Sequence, residues 1–205
     1  MSLLTEQQLQ QVSQAIDAAE LKTDAELVTV LAAQSDNYHY IPTLWAAVIA
    51  LLVPGILLFT DLWLETIDIF LAQLAVFVVL ALIFRWPPLM MRLVPKQVRF
   101  WRASNLARRQ FLEQNLHHTK GETGLLLFVS EAEHYVEIIA DRGISAHIDD
   151  ALWQAIIEDF VVKIKLGNTQ QGFVDAIERC GELLAEKIPA SGDNPNELSN
   201  HLVVL

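Results

Sequence analysis

Two long uncharged runs set back to back in an otherwise charged chain constrain this sequence more than any other feature. Residues 37–60, NYHYIPTLWAAVIALLVPGILLFT, carry no formal charge. The apolar part, Ile41 to Thr60, is about 30 Å long as a helix, the thickness of a bilayer core. Tyr38, Tyr40 and Trp45 fall where interfacial aromatics belong. Pro54-Gly55 would break a helix in water but is tolerated within a membrane. The second run, Ile69 to Phe84, is shorter, and apolar residues on both sides extend it to a span of about 67–85. One such run would suit a buried core helix; two in succession predict a transmembrane hairpin. The opening MSLLTEQQLQ begins an amphipathic helix rather than a signal peptide, so the hairpin is expected to be internal, with both flanks on one side of the bilayer.

The charges orient that hairpin. The connecting segment DLWLETID holds Asp61, Glu65 and Asp68 and no base, whereas Arg85, Arg92, Lys96, Arg99, Arg102, Arg108 and Arg109 crowd the exit of the second run. These are seven of only 14 basic residues. The positive-inside rule then places the basic flank and both termini in the cytoplasm. At a bilayer surface each of these bases attracts anionic lipid by about 1 kcal/mol. With 25 acidic residues the formal net charge is −11, which argues against a general nucleic-acid binder. The single Cys180 excludes an internal disulfide framework and a Cys-cluster zinc site, and fits a reducing compartment.

The polar segments read as an α/β fold split by the hairpin. Thr5 and Gln8 form a capping box for a helix carrying Leu9, Val12, Ile16 and Ala19 on one face. Ala25 to Ala33 reads as a strand. A helix is predicted from Val98 to about His118, then two strands, Leu125 to Ser130 and Tyr135 to Ala140, joined as a hairpin. Asp149 or Asp150 caps a helix over Ala151 to Leu166, and a last helix runs from Thr169 to Lys187, stopped by Pro189. The opening helix and strand cannot bury a core by themselves and need the sequence beyond the hairpin. The expected organisation is residues 1–37 as the first part of one domain, 38–88 as the hairpin, 89–189 as the second part, and 190–205 as a polar tail of which Leu202 to Leu205 can dock.

Several segments resemble the TPM domain family, whose name joins thylakoid-lumen, photosystem-repair and acetylcholine-receptor-modulating proteins. They are AELKTDAEL (Ala19 to Leu27), TGLLLFVSEAEHYVEIIADRGIS (Thr123 to Ser145), DDALWQAIIEDF (Asp149 to Phe160), GNTQQGFVDAIERCGELLAEKIP (Gly167 to Pro189) and NEL near the C-terminus. In order and with two intervening spans, they are similar to a bacterial integral-membrane branch. The resemblance implies an α/β sandwich with a central mixed sheet flanked by helices, interrupted by the hairpin.

For chemistry, strand ends and loop rims are the natural places to look. Asp36, Asp141, Asp149 and Asp150 are the candidate ligands for a hard cation, Ca²⁺ or Mg²⁺, with Asp141 and Arg142 the candidate catalytic pair. The resemblance implies phosphatase activity and divalent-cation binding. The same residues equally read as helix caps, a turn former and its ion-pair partner. Cys180 lies on an apolar stripe and reads as core, and His117-His118 sit favourably at the negative end of a helix. No sharp nucleophile–base motif is present. The expectation is therefore a membrane-anchored interaction or assembly module on the cytoplasmic face. Its partners would be the lipid bilayer and other membrane proteins, a LemA-type protein or a second copy, and not nucleic acid. The alternative is a divalent-metal-dependent phosphatase acting on phosphate esters.

Overall fold

The computed structural model describes residues 4–60, 63–191, 198 and 200–205. In chain order its elements are α1 (Glu6–Glu20), β1 (Glu26–Ala32), α2 (Tyr40–Leu57), α3 (Thr66–Ile83), α4 (Pro87–Leu93), α5 (Lys96–Glu113), a 3₁₀ turn (Leu116–His118), β2 (Gly124–Ser130), β3 (Tyr135–Ala140), α6 (Arg142–Ser145), α7 (Asp150–Lys165), α8 (Thr169–Lys187) and β4 (Val203–Val204). They form two compact units. Residues 1–35 and 100–205 make the first, residues 36–99 the second.

The α/β unit is built on a mixed sheet of order β3-β2-β1-β4. β1 and β2 run parallel in continuous register from Glu26 opposite Gly124 to Ala32 opposite Ser130, so sequence from either side of the helix pair shares one sheet. β3 folds back antiparallel to β2, and β4 lies parallel to β1 at Val30 and Leu31. Every residue of β1 and β2 is buried, which explains why ELVTVLA and GLLLFVS read as near-continuous apolar runs rather than as an alternation.

The alternation nevertheless sorts two cores. Leu27, Leu31, Leu125, Leu127 and Val129 face the layer of α1, α7 and α8, packed with Val12, Ile16, Phe160, Phe173 and Ile177. Val28, Val30, Ala32, Leu126 and Phe128 face Ala103 and Ala107 of α5. On the first face Phe160 meets Phe173 edge to face, 4.9 Å between centroids, and Gly172 lies so close to the Phe160 ring that a Cβ there would sit 2.3 Å from it. The capping box at α1 is present: Gln8 donates its N–H to Thr5 Oγ1, and Thr5 donates its N–H to Gln8 Oε1.

The predicted helix from Val98 to His118 is not one piece. It ends at Glu113; Asn115 adopts a left-handed conformation (φ 58°), and the chain re-enters as the 3₁₀ turn. That break turns Leu116 inward, fully buried beside Leu126 and Phe128. The sequence reading also passed over α4, which opens on Pro87-Pro88 where the missing N–H groups have no helical partner to lose. It passed over α6 as well, too short to show a period. The expected docking of Leu202 to Leu205 is seen in β4. Of the polar tail before it, residues 192–197 and 199 lie outside the described residues, as does Asp61.

In the second unit α2 and α3 are each 18 residues, about 27 Å long, and both are long and apolar enough to cross a membrane. They pack on each other, and in α2 the buried residues Pro42, Ala46 and Ala50 recur every four positions, one face of a helix. α3 buries none of its residues. Tyr38 departs from its expected interfacial place: it is fully buried with Met90 and Val94. Tyr40 and Trp45 are exposed as expected.

Candidate functional site

The parallel pair β1 and β2 delivers two strand exits to the same edge of the sheet, and a polar network closes over them. Glu133 is almost completely buried, at 1% exposure. Its carboxylate accepts the backbone N–H of Ser35 at 3.1 Å and the hydroxyl of Ser130. Ser35 in turn donates its hydroxyl to Ser130 Oγ at 2.7 Å. Alongside, Thr169, the first residue of α8, donates its hydroxyl to Glu131 at 2.8 Å. A small cavity of about 170 Å³ opens beside this pair, lined by Gln8, Glu131, Asn168 and Gln171 among others. The network satisfies its own donors. It pins Ser35, the last residue of the α/β unit before the chain enters the helix pair, to the exit of β2.

The carboxylates expected from the sequence lie elsewhere. Asp36 follows Ser35 and belongs to the helix-pair unit. Because β3 is antiparallel, its C-terminal end lies beside the start of β2, and Asp141 donates its N–H to the Gly124 carbonyl. The strands between Asp141 and the β1 exit at Ser35 are six and seven residues long, so the two stand roughly 20 Å apart along the sheet. Asp141 caps α6, accepting the Arg142 N–H at 2.8 Å, while its Oδ2 is buried with no hydrogen-bond partner among the described residues. Asp149 caps α7 through the Ala151 N–H at 3.0 Å, and Asp150 is the exposed first residue of that helix. Gly143, within ADRGI, is placed by close approach: a Cβ there would lie 2.3 Å from the Gly121 carbonyl oxygen.

Within the α/β unit, Asp141, Asp149 and Asp150 are thus each engaged at a helix start. Among the described residues no group of three or more His, Cys, Asp or Glu side chains is arranged to hold a metal ion. As placed, the donor set does not fit an oxygen cage for Ca²⁺ or Mg²⁺, which takes six or more ligands. Direct contact between Asp141 and Arg142 runs through the Arg142 backbone N–H. The error lay in treating every strand exit as equivalent, which holds for a parallel sheet but not for a strand that doubles back. Glu133 was missed for a related reason. In SEAEH it reads as one of several turn charges, and nothing in a single sequence marks which acid of a hairpin loop points inward.

The remaining candidates have plain surroundings. Burial pushes the Cys180 thiol up to about 12, so it is a core side chain without nucleophilic character at neutral pH. The His117 and His118 rings lie against each other, 3.9 Å between centroids, in the 3₁₀ turn. Of the basic flank, Arg85, Arg92, Lys96 and Arg99 belong to the helix-pair unit, and Arg102, Arg108 and Arg109 to the α/β unit. The Arg102 guanidinium stands 4.9 Å from the centroid of the Trp101 ring, and Arg109 pairs with Glu113 at 3.3 Å.

On α7 a different feature emerges. Leu152, Ala155 and Val162, with Leu166 at the C-cap, are all exposed and fall on one helical face, at i, i+3, i+10 and i+14. The same face carries Asp159 and Lys163, at i+7 and i+11 from Leu152, and Lys163 ties Asp159 to Asp175 of α8 at 2.6 and 2.5 Å, which fixes this helix pair.

Comparison with known proteins agrees with the architecture. The NMR structure of the BA42 protein from the psychrophilic bacterium Bizionia argentinensis superposes with a TM-score of 0.62 at 20% identity, covering 98% of this chain and 95% of that one. That likeness is one of fold. No curated protein matches the sequence. The family model described as TPM domain matches residues 97–183, from α5 into α8. Residues 97–183 are thus similar to a TPM domain, and the α/β architecture around them agrees with that likeness.

Proposed function

We propose that the protein is an integral membrane protein of the bacterial inner membrane that presents its TPM-type α/β unit on the cytoplasmic face as an interaction or assembly module. The observation that carries this reading is the outward face of α2 and α3. Leu51, Ile56, Phe70 and Leu82 are each more than half exposed, on helices with almost no polar residue to offer water. Apolar surface on that scale suits a lipid environment. The basic flank supports an orientation with both termini cytoplasmic, its bases drawn to anionic headgroups. The α7 stripe supports the module reading, because an ordered helix with four apolar residues turned outward suits a protein surface. A LemA-type membrane protein or a second copy of this chain would be its partner.

The experiment is copurification of the tagged chain from mild detergent, beside a variant carrying Leu152→Ser, Val162→Ser and Leu166→Ser. The reading expects a membrane-protein partner held by the wild type and lost by the variant, with unchanged thermal unfolding. Equal recovery from both chains would overturn the role given to α7, and recovery of the untagged chain in the soluble fraction would overturn the membrane reading itself.

The phosphatase alternative requires the Asp36, Asp141, Asp149 and Asp150 carboxylates to act together, and the direction of β3 works against that. Calorimetric titration with Ca²⁺ and with Mg²⁺, and turnover of a generic phosphate ester, should give no heat and no product. Metal-dependent turnover that Asp141→Ala abolishes would reverse the ranking of the two readings.

A further inference from the structure

The sheet has two unlike edges. On one, β4 covers β1 at Val30 and Leu31. The other is β3, and among the described residues no strand lies beyond it. Which of its groups look outward follows from the pairing. Asp141 donates its N–H to the Gly124 carbonyl, continuing the register in which Ala140 stands opposite Leu125. Hydrogen-bonded pairs alternate along an antiparallel ladder. Tyr135, Glu137 and Ile139 therefore turn their backbone groups to β2, and Val136, Ile138 and Ala140 turn theirs away from it. The Ala140 carbonyl receives the Ser145 hydroxyl at 3.2 Å. The outward N–H and C=O groups of Val136 and Ile138 meet no partner among the described residues.

Natural sheet edges are blunted by lysine, proline, a bulge or a covering segment. YVEIIA has neither Lys nor Pro, and its register with β2 runs unbroken from Tyr135 to Ala140. Its one charge, Glu137, is engaged within its own chain, accepting the Ser104 hydroxyl at 3.2 Å and the Tyr135 hydroxyl at 2.9 Å. Apolar side chains flank the edge. Ile138 and Ala140 are half-buried against the core that α7 covers, as are Ile157 and Val161 of α7 itself. These last two lie two positions from Asp159 and Lys163, the pair tied to Asp175 of α8, and so line the flank of α7 turned away from α8.

We propose that β3 pairs with β3 of a second copy of this chain, antiparallel about a two-fold axis at Ile138, joining two four-stranded sheets into one. Ile138 then stands opposite the second copy's Ile138, and Val136 opposite its Ala140, as hydrogen-bonded pairs with about six backbone bonds in all. Charge selects this register. An axis at Glu137 would oppose Glu137 to Glu137, and an axis at Ile139 would oppose Glu137 to Asp141, each setting two carboxylates directly across from one another. With the axis at Ile138, Glu137 faces Ile139 and no like charges are opposed. The inference rests on the module reading only in taking the α/β unit as an interaction surface, and it uses none of the α7 stripe.

Disulfide crosslinking of the full-length chain in detergent micelles reads the register directly, because Cys180, the only cysteine, is fully buried. Ile138→Cys places two thiols across a hydrogen-bonded pair with Cα atoms about 5.5 Å apart and should give a covalent dimer on mild oxidation. Glu137→Cys, whose copies stand on a diagonal roughly 7–8 Å apart, should give roughly tenfold less. Sedimentation equilibrium should find the wild type dimeric. Ile138→Pro should weaken the dimer roughly tenfold or more, since proline removes an outward N–H and leaves the ladder to β2 intact. The variant with three serines on α7 should stay dimeric and, with Ile138→Cys added, crosslink as before, so loss of an α7 partner and loss of self-pairing are read separately. A monomeric wild type, no Ile138→Cys dimer, stronger linkage at Glu137→Cys, an undiminished dimer in Ile138→Pro, or an edge filled by an extended segment of another protein would each overturn the proposal. Should Ile138→Pro fail to fold, the two cysteine variants decide.

Discussion

Glu133 shows what one buried side chain can organise. It accepts a backbone N–H and a hydroxyl, and through that hydroxyl it reaches a second one. Glu133→Ala leaves those donors buried without an acceptor, at about 1–3 kcal/mol for each group stranded. Chemical denaturation in detergent should therefore show a loss of about 3 kcal/mol, with Glu133→Gln recovering at least half because its amide oxygen still accepts. Glu20 makes a prediction of the opposite kind. Its folded pKa, about 7, exceeds its ordinary 4.5, so the folded state binds the proton more tightly. Stability is fully present below pH 4.5, falls as pH rises from 4.5 to about 7, and stays level above. For a half-buried group the loss is about 2 kcal/mol after solvent screening, and Glu20→Gln should flatten a urea-denaturation series over this range. At this scale the sequence was informative where a residue's role is local. The Thr5–Gln8 capping box follows from spacing alone, and the N-cap of α7 was narrowed to Asp149 or Asp150, of which the structure uses Asp149. Glu133 and Glu20 did not show themselves, because what makes them unusual is burial supplied by segments about a hundred or more positions away.

Among the elements, those with a strong period were legible and those defined by direction or interruption were not. α7 and α8 were read to within a residue or two because their apolar stripes are long. β1 and β2 declared themselves as strands through β-branched and leucine-rich runs, and TGLLLFVSEAEHYVEIIA reads as a hairpin, but nothing in either run states that β1 pairs parallel to β2. That pairing puts Asp141 and the Ser35 end of β1 at opposite ends of the sheet. The break in α5 was hidden for a different reason: the helical pattern continues through Glu113 to His118, and only the burial of Leu116 against the sheet decides otherwise. The cap on α1 carries a measurable share of that helix. Thr5→Ala removes the oxygen that receives the Gln8 N–H and should cost about 1 kcal/mol, read as a lower denaturation midpoint with an unchanged slope.

The α/β unit is completed across the helix pair by one sheet. β1 is an interior strand, buried along all seven residues, with β2 on one side and β4 on the other. It reaches the chain before α2, yet everything it pairs with comes after α3. No stable α/β unit is therefore expected from residues 100–205 alone, because removing β1 would strip β2 of its parallel neighbour and leave β4 without a strand to pair with. In contrast, the two compact units share no strand, and each has a core of its own. Replacing residues 36–99 with a flexible Gly/Ser linker from Ser35 to Phe100 should therefore yield a water-soluble protein that unfolds in one cooperative transition. Its amide dispersion should match that of the α/β unit in the full chain. The comparison chain, residues 100–205 without the first 35, should show no such transition and should regain it when a peptide of residues 1–35 is added, since the missing strand and α1 arrive together. A cooperative fold in residues 100–205 alone would mean that the sheet does not depend on β1, and the shared-sheet account of how this chain is built would have to be abandoned.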